Sequence, residues 1–422
     1  MTGPTPGKTV QVIGAGLSGL AAAVRLVQAG VAVEVSEAAA QAGGRCRSFH
    51  DATLDLVIDN GAHLVLSGNQ AVNRYLGLIG ASDRLAGPDH ARFVFTDVGT
   101  GERWTIRPNE GPLPWWVMAP SRRVPGSKPG DYLGLAGLLY PKADARVDGA
   151  IDAKGVVWDR LMEPFLLAAL NTAPKEGSAA LAAAVVRETL AKGGRAYRPR
   201  VAEPTLSAAF VDPALAYIGA HGGQVRLSRR LRNLAFEGER LDALTFSDQN
   251  QPSPVDAPVI LAVPPWIAQE LAPGLDAPDA FHGIVNAHFK LTPPAGLEPM
   301  IGVVGGTIEW IFAFPDRISV TISAADRLLD TDRKALAELI WAEVAKVHDL
   351  PAELPPWQIL KERRATFSAT PQQARKRPGA KTAWTNLILA GDWTDTGLPA
   401  TIEGALRSGF AAAELALAQL RL

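Results

Sequence analysis

One cysteine is all the chain carries, Cys46 among 422 residues. That excludes an internal disulfide, a zinc–thiolate centre and an iron–sulfur cluster. It also fits a reducing compartment. No surplus of positive charge is present: 42 Lys and Arg against 43 Asp and Glu leave a net charge of -1. General nucleic-acid binding, which needs a basic face, is therefore not expected. No run of about 18 uninterrupted apolar residues occurs, so no transmembrane helix is expected. The chain reaches Lys8-Thr9-Val10-Gln11-Val12-Ile13 almost at once. The fold needs that stretch, so no secretory leader is expected. No cluster of metal-ligating residues stands out, and no internal repeat or low-complexity linker interrupts the chain.

What is present is a large apolar fraction, 47% against 20% charged residues. Such a chain can bury a sizeable interior, and its length predicts two or three structural units at roughly 150 residues each. Ten Trp against five Tyr make it greasy for a cytosolic protein, as if some apolar surface met a lipid or a lipid-like ligand.

Residues 9–13 read as a strand, Gly14-Ala15-Gly16-Leu17-Ser18-Gly19 as a glycine-rich turn, Leu20 to Ala29 as a helix, and Val31 to Glu37 as a second strand. This is a βαβ unit with GxGxxG at its turn. Gly14 permits the sharp reversal, Gly16 lets a pyrophosphate approach the backbone, and Gly19 lets helix and strand pack closely. The N–H groups and positive dipole end of the helix, around Leu17 and Ser18, then face the phosphate. Glu37, 23 positions after Gly14, can accept hydrogen bonds from a ribose diol. Gly43-Gly44-Arg45 follows, two glycines for close approach and a planar fork for a pyrophosphate. Strand patterns return at 222–227, 240–246, 257–263 and 280–325, with helical periodicity over 333–348. Near the end, Leu387 to Ala390 reads as a strand that delivers Gly391 and Asp392. The helix that starts near Thr401, Ile402 and Glu403 and runs through Ala405 then points its dipole at what precedes it. Nucleotide-type pieces thus stand at the start, middle and end. The expectation is an α/β protein. A discontinuous Rossmann-type domain (1–85, 205–266 and 356–422) carries an inserted mixed sheet-and-helix domain (86–204 and 267–355).

The run Glu37 to Arg45 resembles the flavin amine oxidase and phytoene desaturase superfamily, whose cofactor is FAD. A narrower resemblance covers nearly the whole chain. Asp59-Asn60-Gly61-Ala62-His63, Pro164 to Pro174, Gly305-Gly306-Thr307, Ser323 to Arg327, Glu362 to Thr366 and Gly391 to Gly409 are similar to the hydroxysqualene dehydroxylases, the squalene-associated FAD-dependent desaturases of bacterial hopanoid and squalene synthesis. Two departures stand near the site: Ala62 where the family has Gln, and the Asn69 region where it has an aromatic. The resemblance implies reductive removal of a hydroxyl from a C30 isoprenoid: hydroxysqualene and reduced FAD give squalene, water and oxidised FAD. It also places the backbone near Leu231 at the adenine end of the cofactor.

Hydroxide leaves poorly, so this chemistry needs a proton at the departing oxygen and a dry, apolar pocket. The candidate acids are His63, Asp59, His288 and Asp395. Leu113 to Met118 and Tyr132 to Tyr140 are candidates for a lipid entry or a membrane-facing patch, which implies a cytoplasmic protein peripheral on the inner face of the membrane. The basic groups 361–364 and 375–377 read as solvated surface. No second GxGxxG has the strand–helix context, so the electron donor is expected to be something other than NADPH. A carotenoid-type desaturase, a flavin amine oxidase and a flavin-free carrier of prenylated partners are the alternatives.

Overall fold

In the computed structural model, residues 8–421 are described, and residues 1–7 and 422 lie outside that range. The opening strand is Val10–Ile13. The chain reverses at Gly14, whose φ of 107° only glycine adopts readily. A Cβ there would stand 2.5 Å from the Ala262 carbonyl oxygen. The first helix, Leu17–Gln28, buries nearly its whole length and gives way at Ala29 and Gly30. The second strand, Val33–Ser36, runs parallel to the first. The helix starts three residues earlier than the sequence periodicity predicts and ends one residue earlier, and the strand is three residues shorter.

Around this unit lies a five-stranded, wholly parallel sheet. Its order is Gln224–Arg226, Val33–Ser36, Val10–Ile13, Val259–Leu261 and Leu387–Leu389. The strands come from the start, middle and end of the chain, so this Rossmann-type unit is discontinuous, as the spacing of its pieces predicts. The first helix packs against the last, Ile402–Leu420, through small residues. A Cβ on Gly409 would lie 2.1 Å from the Ser18 carbonyl oxygen. Leu20, Val24, Ile260, Leu406 and Phe410 fill the core between helices and sheet. Each such buried side chain contributes roughly 1.5–3 kcal/mol.

The second sheet has seven strands, in the order Trp357–Phe367, Phe281–Lys290, Arg317–Ile322, Trp310–Phe314, Met300–Val304, Phe93–Asp97 and Arg103–Ile106. Only the pairing of Met300–Val304 with Phe93–Asp97 is parallel. The last two strands fall within residues 86–204 of the inserted mixed sheet-and-helix stretch, outside the strand patterns read from sequence. They are short, and they are held by distant partners that local patterning does not reveal. Because side chains alternate along a strand, the sheet has two different faces. One buries Ile301, Ile311, Val320 and Ile322 against the helix Arg333–His348. The other carries Phe95, Trp104, Trp310, Phe312 and Phe314. Beside those aromatics runs a stripe of polar side chains at Asn286, His288, Arg317, Ser319 and Thr321. A hairpin, Ser48–Asp51 with Leu56–Asp59, reaches across to this second face. There the Lys290 ammonium donates to the Leu54 carbonyl at 2.6 Å, and Gln358 donates to Asp51 at 2.6 Å.

Candidate functional site

The first helix begins at Gly16, and no side chain caps it. Its leading N–H groups are thus available to an anion. A Cβ built on Gly16 meets nothing within 4 Å, whereas one on Gly19 would stand 1.9 Å from the Gly14 carbonyl oxygen. Gly19 is therefore fixed by protein packing, and the space in front of Gly16 is room for a ligand. Gly43 and Gly44 are both at positive φ, and Gly43 forms a bridge with Gly16. Glu37 accepts hydrogen bonds from the N–H groups of Ala15 and Ala39, both at 2.8 Å. A carboxylate offers about four acceptor positions, so two remain for a diol. Its backbone is bracketed by Arg226 and Arg229, and two residues further on Leu231 opens the strand Leu231–Glu237. These donors and acceptors suit a dinucleotide cofactor.

Arg45 donates to the Ala365 carbonyl and, at 2.7 Å, to Asp392. Burial alone would lower its pKa, but the charge and hydrogen bond of Asp392 more than offset that and hold it above the usual arginine value. The pair joins the glycine-rich loop after the second strand to the end of the strand Leu387–Leu389. The loop from Gly391 to Thr396 is braced from behind. Gly391 donates to Ser408 at 2.9 Å, and the buried Arg377 donates to the carbonyls of Asp392, Trp393 and Thr394 and to the Thr396 hydroxyl. This corrects the reading of 375–377 as solvated surface for Arg377, which is 7% exposed and lies over the Phe367 ring at 4.8 Å. Burial lowers its pKa to about 10, which leaves it charged at neutral pH.

Thr401 caps the last helix by accepting from the Gly404 N–H at 3.0 Å, with Ile402 and Ala405 in its first turn. The Glu403 side chain turns elsewhere. Its oxygens accept from Ala71 and Val72, both at 3.0 Å, at the N-terminus of the helix Gln70–Leu78. Its backbone stays in the first turn of the last helix, while its carboxylate caps a neighbouring helix end, where a positive dipole attracts it.

The candidate acids separate into three places. Asp395 is exposed, near the Gly397 N–H, and stands apart from the buried candidates. His63 keeps a partly accessible edge, yet burial, and after it the charge of Arg45, lowers its pKa to about 4. It is a neutral hydrogen-bonding group at pH 7 rather than a charged proton store. Asp59 and His288 come together with Arg317. Asp59 accepts from the Ser48 hydroxyl at 2.5 Å and the Leu206 N–H at 2.9 Å, and burial raises its pKa. His288 shares a 2.8 Å hydrogen bond with Ser319, and burial, then Arg317, lowers its pKa to about 3. Cys46 is inert, its thiol pushed up to about 12 by burial.

Two further residues escaped the sequence reading. Asn286 is buried, donates to the Asn60 carbonyl at 3.1 Å and accepts from Thr321 at 2.9 Å. A Cβ on Gly61 would lie 2.6 Å from its side-chain nitrogen, so the Asn60–Ala62 backbone rests flat on this carboxamide. Asn171, at a φ of 46°, donates to Thr366 at 2.9 Å and accepts from the Ala324 N–H at 2.6 Å. It thereby ties three of the segments that carry the narrower resemblance to one point. No spacing rule links these positions; a non-glycine residue forced to positive φ leaves no signature in sequence.

The sequence profile of the flavin containing amine oxidoreductase family matches residues 17–417. The chain is 54% identical over 413 residues to the hydroxysqualene dehydroxylase of Rhodopseudomonas palustris, covering 97% of this chain and 99% of the relative. It is 53% identical over 412 residues to that of Sinorhizobium fredii, covering 98% and 99%. Among solved structures, an oxidoreductase from Methanosarcina mazei superposes with a TM-score of 0.71 at 16% identity, covering 96% of this chain and 100% of that one; this likeness speaks for the fold.

Proposed function

The chain belongs to the flavin containing amine oxidoreductase family and, within it, to the hydroxysqualene dehydroxylases, and from that premise we propose that it removes the hydroxyl of hydroxysqualene reductively to give squalene. FAD is the cofactor, and when reduced it supplies the hydride that replaces the hydroxyl. The residues that would hold it are Gly14, Gly16, Leu17, Ser18 and Gly19 with Gly43, Gly44 and Arg45 at the phosphates, Glu37 and the backbone near Leu231 at the adenosine, and Gly391, Asp392 and Thr401 to Ala405 at the ring end.

The rest is the work of the chain's own side chains. An allylic cation formed near water would be captured by it, so the reacting carbon has to be kept dry. The aromatic face of Phe95, Trp104, Trp310, Phe312 and Phe314 suits a C30 chain, and Ala62 and Leu64 pack against that cluster. Asn60 to His63 borders the aromatic face on its polar side, where a hydroxyl would be oriented by a neutral imidazole. That junction of a polar edge with an aromatic sheet face is the observation that best supports the reading. In an anaerobic incubation of dithionite-reduced protein with hydroxysqualene, squalene is the expected product. A dehydrogenated polyene instead would favour the desaturase reading and overturn this one. NADPH alone is expected to leave the flavin oxidised, since electrons come from another carrier.

The substrate's insolubility points to the bilayer as its source. Among the described residues no helix is long and apolar enough to cross a membrane. Eight large apolar side chains stand exposed there, and five of them, Leu113, Trp115, Met118, Leu133 and Tyr140, lie within residues 112–140. Exposed Lys128 and Lys142 flank them. This patch rests on the bilayer interface of a cytoplasmic, peripheral protein, with its cations toward anionic headgroups. Trp115→Ser with Leu133→Ser is expected to weaken flotation with phosphatidylglycerol vesicles roughly tenfold or more. Unchanged flotation would move the contact elsewhere.

A further inference from the structure

The proposed reaction consumes one proton per turnover at the departing oxygen, and the two histidines considered above are neutral at pH 7. The polar stripe on the second sheet offers another source. At the sheet rim, Asp316 is about half exposed and accepts from Arg317 at 2.8 Å. The Arg317 guanidinium is buried. Its Nη2 lies 3.8 Å from Asp59, beyond hydrogen-bond range, and both Nη2 and Nε lack a partner. His288, one strand over, lies against the Asp59 backbone and donates or accepts through Nδ1 to Ser319, while its buried Nε2 is likewise without a partner. Three polar atoms of two buried side chains, Nε and Nη2 of Arg317 and Nε2 of His288, are therefore unmatched beside the Asp59 segment. Buried polar atoms of this kind are costly unless ordered water meets them.

Further along the same face stand Thr321 and Asn286, hydrogen-bonded at 2.9 Å. Ser319 and Thr321 are two residues apart on one strand, so their Cα atoms are separated by about 6.8 Å. Two hydroxyls leaning toward each other from those positions leave an interval of the size that one water bridges. Thr321 also reaches the Ala62 carbonyl at 3.4 Å, next to His63 and at the edge of the aromatic face. The groups thus run in file from an exposed carboxylate to the place where a polar rim meets an apolar wall. Lys290, which faces the same hairpin, is held by the Leu54 carbonyl. Asp51 is held by Gln358, Thr53 and Leu54. Neither completes the unmatched atoms.

We infer that this stripe encloses ordered water and serves as a proton path from Asp316 at the surface, past Asp59, His288 and Ser319, to Thr321 beneath Ala62. The inference rests on the dehydroxylation reading, because only that reaction calls for a proton there. A proton enters from solvent at one end as another leaves Thr321 for the substrate oxygen. The C–O bond breaks with its electron pair on oxygen, water departs, and a C–H bond forms with the hydride from reduced FAD, which is oxidised. The stripe's residues supply protons alone. Thr321 is the group that meets the substrate oxygen, and Ser319 relays to it.

The test has two arms on the FAD-loaded protein. A high-resolution crystal structure is expected to show water bridging His288 Nε2 and Arg317 to Asp59, and a second water between Ser319 and Thr321; a dry stripe overturns the proposal. In single turnovers of reduced protein, Ser319→Ala and Thr321→Val are expected to lower the rate of squalene formation roughly 10- to 100-fold. The concentration of substrate at half-maximal rate and the flavin absorbance should stay unchanged, and the effect of deuterated water should grow. Thr321→Ser, which keeps the hydroxyl, should restore the rate. Wild-type rates and isotope effects in both variants would overturn the path while leaving the dehydroxylase reading intact. If wild-type protein makes no squalene, the function fails first, and the crystallographic arm still decides whether the stripe holds water.

Discussion

Gly16→Ala and Gly19→Ala, the same methyl group added three residues apart, are expected to fail in opposite ways. At Gly16 the new Cβ meets no protein atom within 4 Å. The protein should fold with nearly wild-type thermal stability but bind FAD roughly a hundredfold more weakly, a loss of about 2.7 kcal/mol, because the methyl occupies the approach of the pyrophosphate. At Gly19 the Cβ would stand 1.9 Å from the Gly14 oxygen. The first helix must then move off the strand on which it packs, and about 3 kcal/mol of stability or more should go with it. Flavin content at saturation, read by absorbance, and Tm of the apoprotein separate the two. If both variants lost stability equally, the space at Gly16 would be ordinary packing and not a ligand's.

Arg377→Leu should be comparably severe for another reason. The guanidinium holds three successive carbonyls, of Asp392, Trp393 and Thr394, and the Thr396 hydroxyl. Leucine fills similar volume but leaves those acceptors buried and unpaired, at about 1–3 kcal/mol each. A loss of at least about 3 kcal/mol in urea unfolding is expected. FAD should be lost too, since the same loop carries the Asp392 carboxylate that meets Arg45 at 2.7 Å. Arg377→Lys should not rescue, because a single ammonium cannot present a planar fork to diverging carbonyls. Retained FAD with full stability in the leucine variant would show that the loop stands without its brace.

The glycine-rich unit proposed to hold the phosphates is legible in sequence because its determinants are local. A strand, a glycine turn, a helix and a second strand are contiguous, and the glycines must be glycine wherever backbone meets backbone or ligand. The last helix is legible for the same reason, since Gly391-Asp392 and the Thr401 cap follow a short apolar strand directly. Glu403 shows where that reasoning ends. Its place in a first helical turn is readable, but its choice of a different helix terminus, at Ala71 and Val72, is a matter of packing between segments more than three hundred residues apart. Arg377 shows the same limit. A basic triplet reads as surface until the fold closes a loop of carbonyls around its last member.

The amino-acid order by itself determined the family and the strand–glycine turn–helix–strand unit of the parallel sheet, because turn chemistry and strand periodicity act over neighbouring residues and survive any tertiary arrangement. Only the tertiary structure decided which face of the second sheet is aromatic and which polar atoms share it. The pairing of His288 with Ser319 and of Asn286 with Thr321 depends on strand register, and a shift of one residue would have turned every one of those side chains to the opposite face.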